Sequence, residues 1–287
     1  MPELPEVETV RRGLNQVTLS QKIVGGDVLL ARAIAYPLSV GEFIAGIKGC
    51  TITQWHRFGK YLLAEVENTT PIAAGWLGVH LRMTGQLLWL HRDEPLHKHT
   101  RVRLFFADEY ELRFVDQRTF GQMWWVPPNV AVENVISGLA KLGLDPFSPE
   151  FTVDYLVVQL KNRQRAIKTA LLDQAIVAGI GNIYADEALF VSRIHPNTLC
   201  KNLERSQLER LHSAIVQVLE TSIAAGGTTF SNFLNVQGVN GNYSGVAWVY
   251  NRTGKPCRVC NTPIQRLRLA GRSSHFCPNC QHQAEVD

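Results

Sequence analysis

The pattern of apolar and polar positions changes character several times along the chain. Between about residues 3 and 17, Val7, Val10, Leu14 and Val17 recur at three- and four-residue spacings, which predicts a helix starting almost at the terminus. Short, partly alternating segments follow: KIVGGDVLLARA, TITQWHRF, KYLLAEVE, WLGVHLRM, QLLWL, RVRLFFA, YELRFV and GQMWWV, separated by Gly, Asn or Asp-Glu turn signals. Strands of this length and spacing predict a β-sandwich or barrel. The texture breaks at Pro127-Pro128 and in LGLDPFSPE (142–150), rich in Pro, Gly and acid, which predicts a domain boundary. Downstream, 153–160, 166–177, 182–192 and 204–224 carry helical spacing, so the second domain is expected to be mainly α, with a β-ribbon at its end. The sequence holds no internal repeat and no low-complexity tract.

Composition refines this picture. With 287 residues and 45% hydrophobic content the chain can build about two sizeable cores, which argues against full disorder. A formal net charge of +4 is compatible with a polyanionic partner without requiring one. Its distribution says more: Arg252, Lys255, Arg258, Arg266, Arg268 and Arg272 lie in a stretch from Asn251 to Ala284 with no acid, whereas Glu3, Glu6 and Glu8 crowd the N-terminus. No apolar run approaches the roughly 18 residues that span a bilayer, and MPELPEVE is acidic where a signal peptide is basic and then apolar. The expectation is a cytosolic protein without a membrane partner.

Four of the six cysteines form two pairs, CRVC at 257–260 and CPNC at 277–280, with 16 residues between them, a spacing suited to a four-cysteine zinc ribbon. A redox pair is the alternative. Four thiolates close the coordination of Zn²⁺, so Cys257, Cys260, Cys277 and Cys280 would fold a small segment, not activate water. Between the pairs, RLRLAGRSSHF reads as a hairpin with Arg272 at its tip, facing either a phosphate or only solvent. Cys50 and Cys200 stand alone and read as inert, partly buried thiols.

At the other end, initiator Met is commonly removed before a small residue, which would expose the secondary amine of Pro2. An α-amino group with a reference pKa of about 7.7 to 8.0 has a useful neutral fraction near pH 7, and its attack on an aldehyde-like carbon gives an iminium. Glu3 beside it could shuttle the proton that elimination needs. The plainer alternative makes Pro2 the first residue of a helix whose dipole Glu3 and Glu6 complement. In GIGN (179–182) a Gly-rich turn delivers Asn182 to a helix start, either to bind an anion or simply as a cap. Lys60 and His80 are ambiguous singly.

Together, PELPEVE (2–8), RFGKYL (57–62), HLRMTG (80–85), DQRTFG (116–121), IKTALLDQ (167–174), GIGNIYADEALF (179–190) and the paired cysteines resemble the formamidopyrimidine-DNA glycosylase family, in order and over nearly the whole chain. The resemblance implies a multidomain α+β fold: a helix plus β-sandwich, then a helix-two-turns-helix domain with a C-terminal four-cysteine zinc-finger β-hairpin, damaged double-stranded DNA lying in the cleft between. The expected division is a catalytic β-sandwich domain over 1–130, a helix and linker over 131–150, a helical domain with a lesion-capping loop over 151–245, and a zinc-finger module over 246–287.

The implied activity is excision of oxidised purines, chiefly 8-oxoguanine and formamidopyrimidines, followed by strand cleavage through β- and δ-elimination. By the same resemblance Pro2 is the nucleophile, Glu3 the acid and base, Lys60 a catalytic phosphate holder, and Glu6 an organiser of the active site. His80, Asn182 and Arg272 would bind backbone phosphates; His99 and Lys168 fall where the family has DNA-facing residues. Flipping a nucleotide out costs a few kcal/mol in lost stacking and pairing, and Met83, Arg118 and Phe120 match the residues that fill the gap. One structural Zn²⁺, no small-molecule cofactor, a monomer, and a cytoplasmic, nucleoid-associated location complete the expectation. Many members carry two successive Arg residues before the Phe where this chain has Arg118 and Thr119, so the opposite-base preference is not implied. An endonuclease VIII type enzyme, acting on oxidised pyrimidines, is a rival that PELPEVE disfavours; a non-catalytic zinc-containing DNA-binding protein is another, disfavoured by intact Pro2, Glu3 and Lys60.

Overall fold

A computed structural model describes residues 1–68, 75–228, 235–239 and 241–282. The chain divides into two compact units, Met1–Lys141 with Ala225–Asn242, and Leu142–Ala224 with Tyr243–Asp287.

The first unit opens with α1 (Leu4–Val17), whose Val7, Val10 and Leu14 are fully buried. Each such side chain contributes roughly 1.5 to 3 kcal/mol of burial. The strands and helices that follow are β1 (Ile23–Val28), β2 (Ile34–Tyr36), α2 (Val40–Ile47), β3 (Thr51–Phe58), β4 (Tyr61–Glu67), β5 (Gly75–His80), β6 (Gly85–His91), β7 (Thr100–Phe106), β8 (Tyr110–Asp116), β9 (Gln122–Val126) and α3 (Val132–Val135). They form a four-stranded sheet in the order β1-β7-β8-β6 and a five-stranded sheet in the order β2-β9-β5-β4-β3. One continuous core joins the α1 stripe to Trp55 and Leu62 of the larger sheet and to Leu104 and Phe114 of the smaller. Asn15 fastens the helix to β3, its side chain accepting from Trp55 N at 2.8 Å and donating to Trp55 O at 3.1 Å.

The eight expected β segments all carry strands, and β2 and α2 are additions. The α2 signal was present: Ser39 accepts from the Glu42 N–H, as a serine does three residues ahead of an acid at a helix start, and the helix buries Phe43 and Ile47. The described residues of Ala225–Asn242 group with this unit and not with the helical one to which they were assigned from sequence. The reason is local packing: Val236 O accepts from Trp89 N at 2.9 Å, and its side chain fills the space where a Cβ on Gly13 would stand, 2.2 Å from Val236 Cγ2.

The second unit contains α4 (Val153–Leu160), α5 (Ile167–Leu171), α6 (Asn182–Val191), α7 (Arg205–Ala224) and the hairpin β10 (Gln265–Leu269) with β11 (Arg272–Phe276). Helix α5 stops well short of the expected residue 177: Asp173 takes the Ala175 N–H on its side chain (3.0 Å), and the Gln174 side chain accepts from Gly179 N–H and donates to Ile180 O and to Leu172 O, the C-cap of the helix.

Candidate active site and nucleic-acid interface

In the first unit the N-terminus of α1 is buried together with its acids. Glu3 is the N-cap, so Pro2 precedes the helix and is not its first residue; the plainer reading of Pro2 as a helix starter does not hold. Glu3 and Glu6 are only 2% and 1% exposed. Both oxygens of Glu6 receive backbone donors, Glu3 N–H at 2.8 Å and Thr228 N–H at 2.9 Å, so this carboxylate ties the chain start to a segment more than two hundred positions later. Burial lowers the pKa of the Met1 amine; Glu3 and Glu6 pull it up, and Lys60 and Arg118 push it down. Charges of both signs therefore act on the terminal amine. Lys60 is itself buried, in the two-residue Gly59-Lys60 turn closed by the Phe58–Tyr61 pair.

Glu8, next along α1, is sandwiched by guanidinium groups: Arg11 at 2.7 Å, Arg12 at 2.8 Å and Arg57 at 3.2 Å. Burial alone raises its pKa, but the hydrogen bonds and charges of these arginines outweigh burial and hold it at about 2. His80 is buried at the end of β5, and burial, with the charges of Arg82 and Lys60, brings its pKa down to about 3. Its Nδ1 accepts from Arg82 N at 3.0 Å, which assigns the ring hydrogen to Nε2: His80 is a neutral donor, not a cation.

Met83 is half-buried in the turn between β5 and β6, while Arg118 and Phe120 are exposed in the turn after β8. The Arg118 guanidinium lies 5.0 Å from the Phe120 ring centroid. His99, ahead of β7, is half-buried; slight desolvation and then the charges of Lys98 and Arg101 lower its pKa, and its Nδ1 lies 3.1 Å from the Arg101 guanidinium.

In the second unit Asn182 opens α6, with Gly181 as the N-cap, and its Nδ2 donates to Ser273 Oγ at 3.4 Å. The hairpin turns through Ala270 (φ 44) and Gly271 (φ 79), both left-handed, the geometry of a type I′ turn that glycine suits and alanine resists. Arg272 stands exposed beside that tip, not on it. Lys168 departs from expectation. It is 0% exposed, and its Nζ bonds Asp186 Oδ1 and Ser273 O, both at 2.6 Å, so it holds the hairpin to α6 and cannot face DNA. Asp186 Oδ2 takes the His275 N–H at 2.9 Å, and the neighbouring Glu187 accepts from Trp248, Val249 and Tyr250 N–H at 2.7 to 2.9 Å. Adjacent acids of one helix thus anchor the two arms of the C-terminal module.

The sulfur atoms of Cys257, Cys260, Cys277 and Cys280 all lie within 4.8 Å of one another. Three of the sulfur–sulfur separations, 3.4 to 3.9 Å, bracket the roughly 3.8 Å edge of a tetrahedron with Zn–S bonds near 2.3 Å. The set fits zinc. Cys50 and Cys200 are buried elsewhere, and burial pushes the Cys200 thiol up to about 11, so neither supplies a thiolate.

Sequence reasoning missed Asp116, Asp186, Glu187 and the Glu6–Thr228 link. Asp116, Asp186 and Glu187 sit in motifs quoted for their neighbours; a carboxylate inside an otherwise apolar run, as in IYADEALF, was the available signal.

Three family models match the chain in order: formamidopyrimidine-DNA glycosylase N-terminal domain over residues 1–123, formamidopyrimidine-DNA glycosylase H2TH domain over 142–233, and the zinc finger found in FPG and IleRS over 254–283. Fold and site together define a DNA glycosylase of base-excision repair that carries one structural zinc. A formamidopyrimidine-DNA glycosylase of Nostoc punctiforme (strain ATCC 29133 / PCC 73102) is 74% identical, the match spanning 98% of this chain and 96% of the relative; that of Trichodesmium erythraeum (strain IMS101) is 62% identical, spanning 98% and 100%. The Lactococcus lactis Fpg solved with abasic-site DNA superposes with a TM-score of 0.88 at 33% identity, over 98% of this chain and 100% of that one. The same enzyme with Fapy-dG DNA gives 0.87 at 33% identity and the same coverage. The chain belongs to the formamidopyrimidine-DNA glycosylase family.

Proposed function

We propose that the chain excises oxidised purines, 8-oxoguanine and formamidopyrimidines, from duplex DNA through a Schiff base at the Pro2 amine, then cuts the strand by β- and δ-elimination. The observation that carries this reading is the burial of Pro2, Glu3 and Glu6 at the chain start, beside a half-buried terminal amine whose pKa burial lowers. Met1 is the residue to be removed; its amine stands in for the prolyl amine one position further on. Desolvation keeps an amine neutral and nucleophilic near pH 7.

Pro2 nitrogen attacks C1′ of the lesion nucleotide, the C1′–base bond breaks, and the base leaves with a proton supplied to it. Opening of the sugar ring, with a proton delivered to O4′ as the C1′–O4′ bond breaks, gives the iminium; it acidifies the C2′ hydrogens, whose loss expels the 3′ phosphate, and the conjugated iminium so formed loses the C4′ hydrogen as the 5′ phosphate departs. Glu3 is the group that gives and takes these protons. Lys60 holds a phosphate beside the extruded nucleotide, and Glu6 keeps the terminus in place through its two backbone bonds. Met83, Arg118 and Phe120 occupy the gap left in the duplex. His80 donates from neutral Nε2–H to a phosphate, and His99, Asn182 and Arg272 contact the backbone elsewhere. The Lactococcus lactis enzyme was solved with Fapy-dG DNA, a formamidopyrimidine lesion, and with abasic-site DNA, a site from which the base is already gone, and both support this reading. Among the described residues no helix is long and apolar enough to cross a membrane, and we place the enzyme in the cytoplasm, on nucleoid DNA, as a monomer.

The test is borohydride reduction during reaction with an 8-oxoguanine:cytosine duplex and, in parallel, a thymine-glycol duplex. Protein covalently attached to the first DNA in excess over the second is expected. No adduct with processed wild-type protein contradicts the mechanism, and preferential trapping on thymine glycol contradicts the substrate class.

A further inference from the structure

Met83 and Phe120 lie in different turns, yet these turns leave the same end of one strand pair: Gly85 of β6 faces Asp116 of β8 in register. Asp116 is 1% exposed, and among the described residues no guanidinium or ammonium group bonds its carboxylate, which accepts from the two turns themselves. Oδ1 accepts from the Thr84 hydroxyl and from Arg118 N–H at 3.2 Å, and Oδ2 accepts from Gly121 N–H at 2.7 Å. The Thr84 oxygen in turn accepts from the Arg118 N–H at 2.9 Å. A single buried carboxylate therefore brackets Arg118 and Phe120 from both sides and fastens them to the residue after Met83.

The backbone held in this way is of a kind that does not persist unaided. Thr119 has φ 57, a left-handed conformation that β-branched residues rarely adopt, and Arg82, one residue before Met83, has φ 53. Both turns are over-determined by bonds at their bases.

We infer that Asp116 and Thr84 are positioning residues that hold Met83, Arg118 and Phe120 as one preassembled wedge. This inference rests on the proposed glycosylase reading, in which those three side chains replace an extruded nucleotide. Ordering them in advance removes the cost of ordering two turns at the moment the nucleotide leaves the stack. The wedge is needed only where there is a stack to hold open. Duplex substrates should depend on the Asp116–Thr84 link, and a single-stranded abasic site, which already presents its sugar, should not.

The experiment compares wild type with Thr84→Val, which removes the bridging hydroxyl at nearly constant volume, Thr84→Ser, which keeps it, and Asp116→Asn, which puts an amide donor against a donor. Single-turnover excision from an 8-oxoguanine:cytosine duplex is measured beside strand cleavage of a single-stranded abasic oligonucleotide. Thr84→Val and Asp116→Asn should slow duplex excision by about tenfold or more while single-stranded cleavage stays within about twofold, and Thr84→Ser should restore duplex excision. Thr84→Val should also diminish the fluorescence change of 2-aminopurine placed beside a non-cleavable abasic analogue in the duplex. Equal loss on both substrates, or no loss on the duplex, overturns the inference. Failure of the wild type itself to excise 8-oxoguanine is a different result, and counts against the proposed function instead.

Discussion

Burial decides what the charged residues of this protein can do. His80, with a pKa of about 3 against 6.5 for the free residue, stays neutral across the physiological range, so the phosphate contact proposed for it does not titrate there. The same shift has a stability consequence. Between the two values the unfolded chain binds more protons than the folded one, so the stability due to neutral His80 is complete above pH 6.5 and is lost as pH falls toward 3. Glu8, at about 2 against 4.5, loses its contribution in a lower window, below pH 4.5. His80→Gln should flatten the acid side of urea-unfolding stability between pH 4.5 and 6.5 and leave the steeper loss below 4.5; an unchanged slope in the upper window contradicts the assignment. Lys168 gives the opposite lesson about a lysine. Replacing it with Met strands Asp186 in the interior and should cost about 3 to 5 kcal/mol of stability, measured by denaturant midpoint, whereas a surface DNA contact would cost affinity alone. Residue type was legible in the sequence for both, but depth was not: IKTALLDQ puts Lys168 among apolar neighbours without revealing that Asp186 and Ser273 meet its ammonium group.

Elements were more legible than their joints. Every expected strand exists because alternation and turn residues are local properties, and α1 was readable from its apolar stripe. Helix α5 is shorter than its apolar spacing suggests because the side chains of Asp173 and Gln174 take backbone groups, and Val236 meets α1 and β6, elements distant in sequence. The zinc hairpin shows both sides. Its ligands and strands follow from spacing, whereas its attachment to α6 through Asp186 and Glu187 follows from tertiary packing alone. Four thiolates hold a segment whose core is little more than Phe190, Val249, Ile264 and two of the cysteines themselves. Cys277→Ser should therefore release zinc and weaken duplex binding by about tenfold or more. Zinc content and a binding isotherm check this, and unchanged affinity after proven zinc loss contradicts a role in gripping DNA.

For the molecule as a whole, a net charge of +4 understates the field available to DNA, because Asn251–Ala284 carries six basic residues and no acid. Arg272→Ala should weaken binding to all sequences alike and lower the slope of log K against log salt by about 0.9, the share of one phosphate contact; an unchanged slope places Arg272 in solvent only. The proposed chemistry lies at the far end of the chain, where the sequence displays a Pro and two Glu residues at a helix start. What no sequence pattern displayed is that these groups are buried together, with Lys60 and Arg118 close enough to depress the amine. That arrangement is the central claim, and mapping the borohydride-trapped adduct on an 8-oxoguanine duplex tests it most directly. Tryptic digestion followed by mass spectrometry should place the deoxyribose remnant on the peptide that starts at Pro2 and ends at Arg11, with Met1 absent. An adduct on a lysine-containing peptide, Lys60 above all, would contradict it.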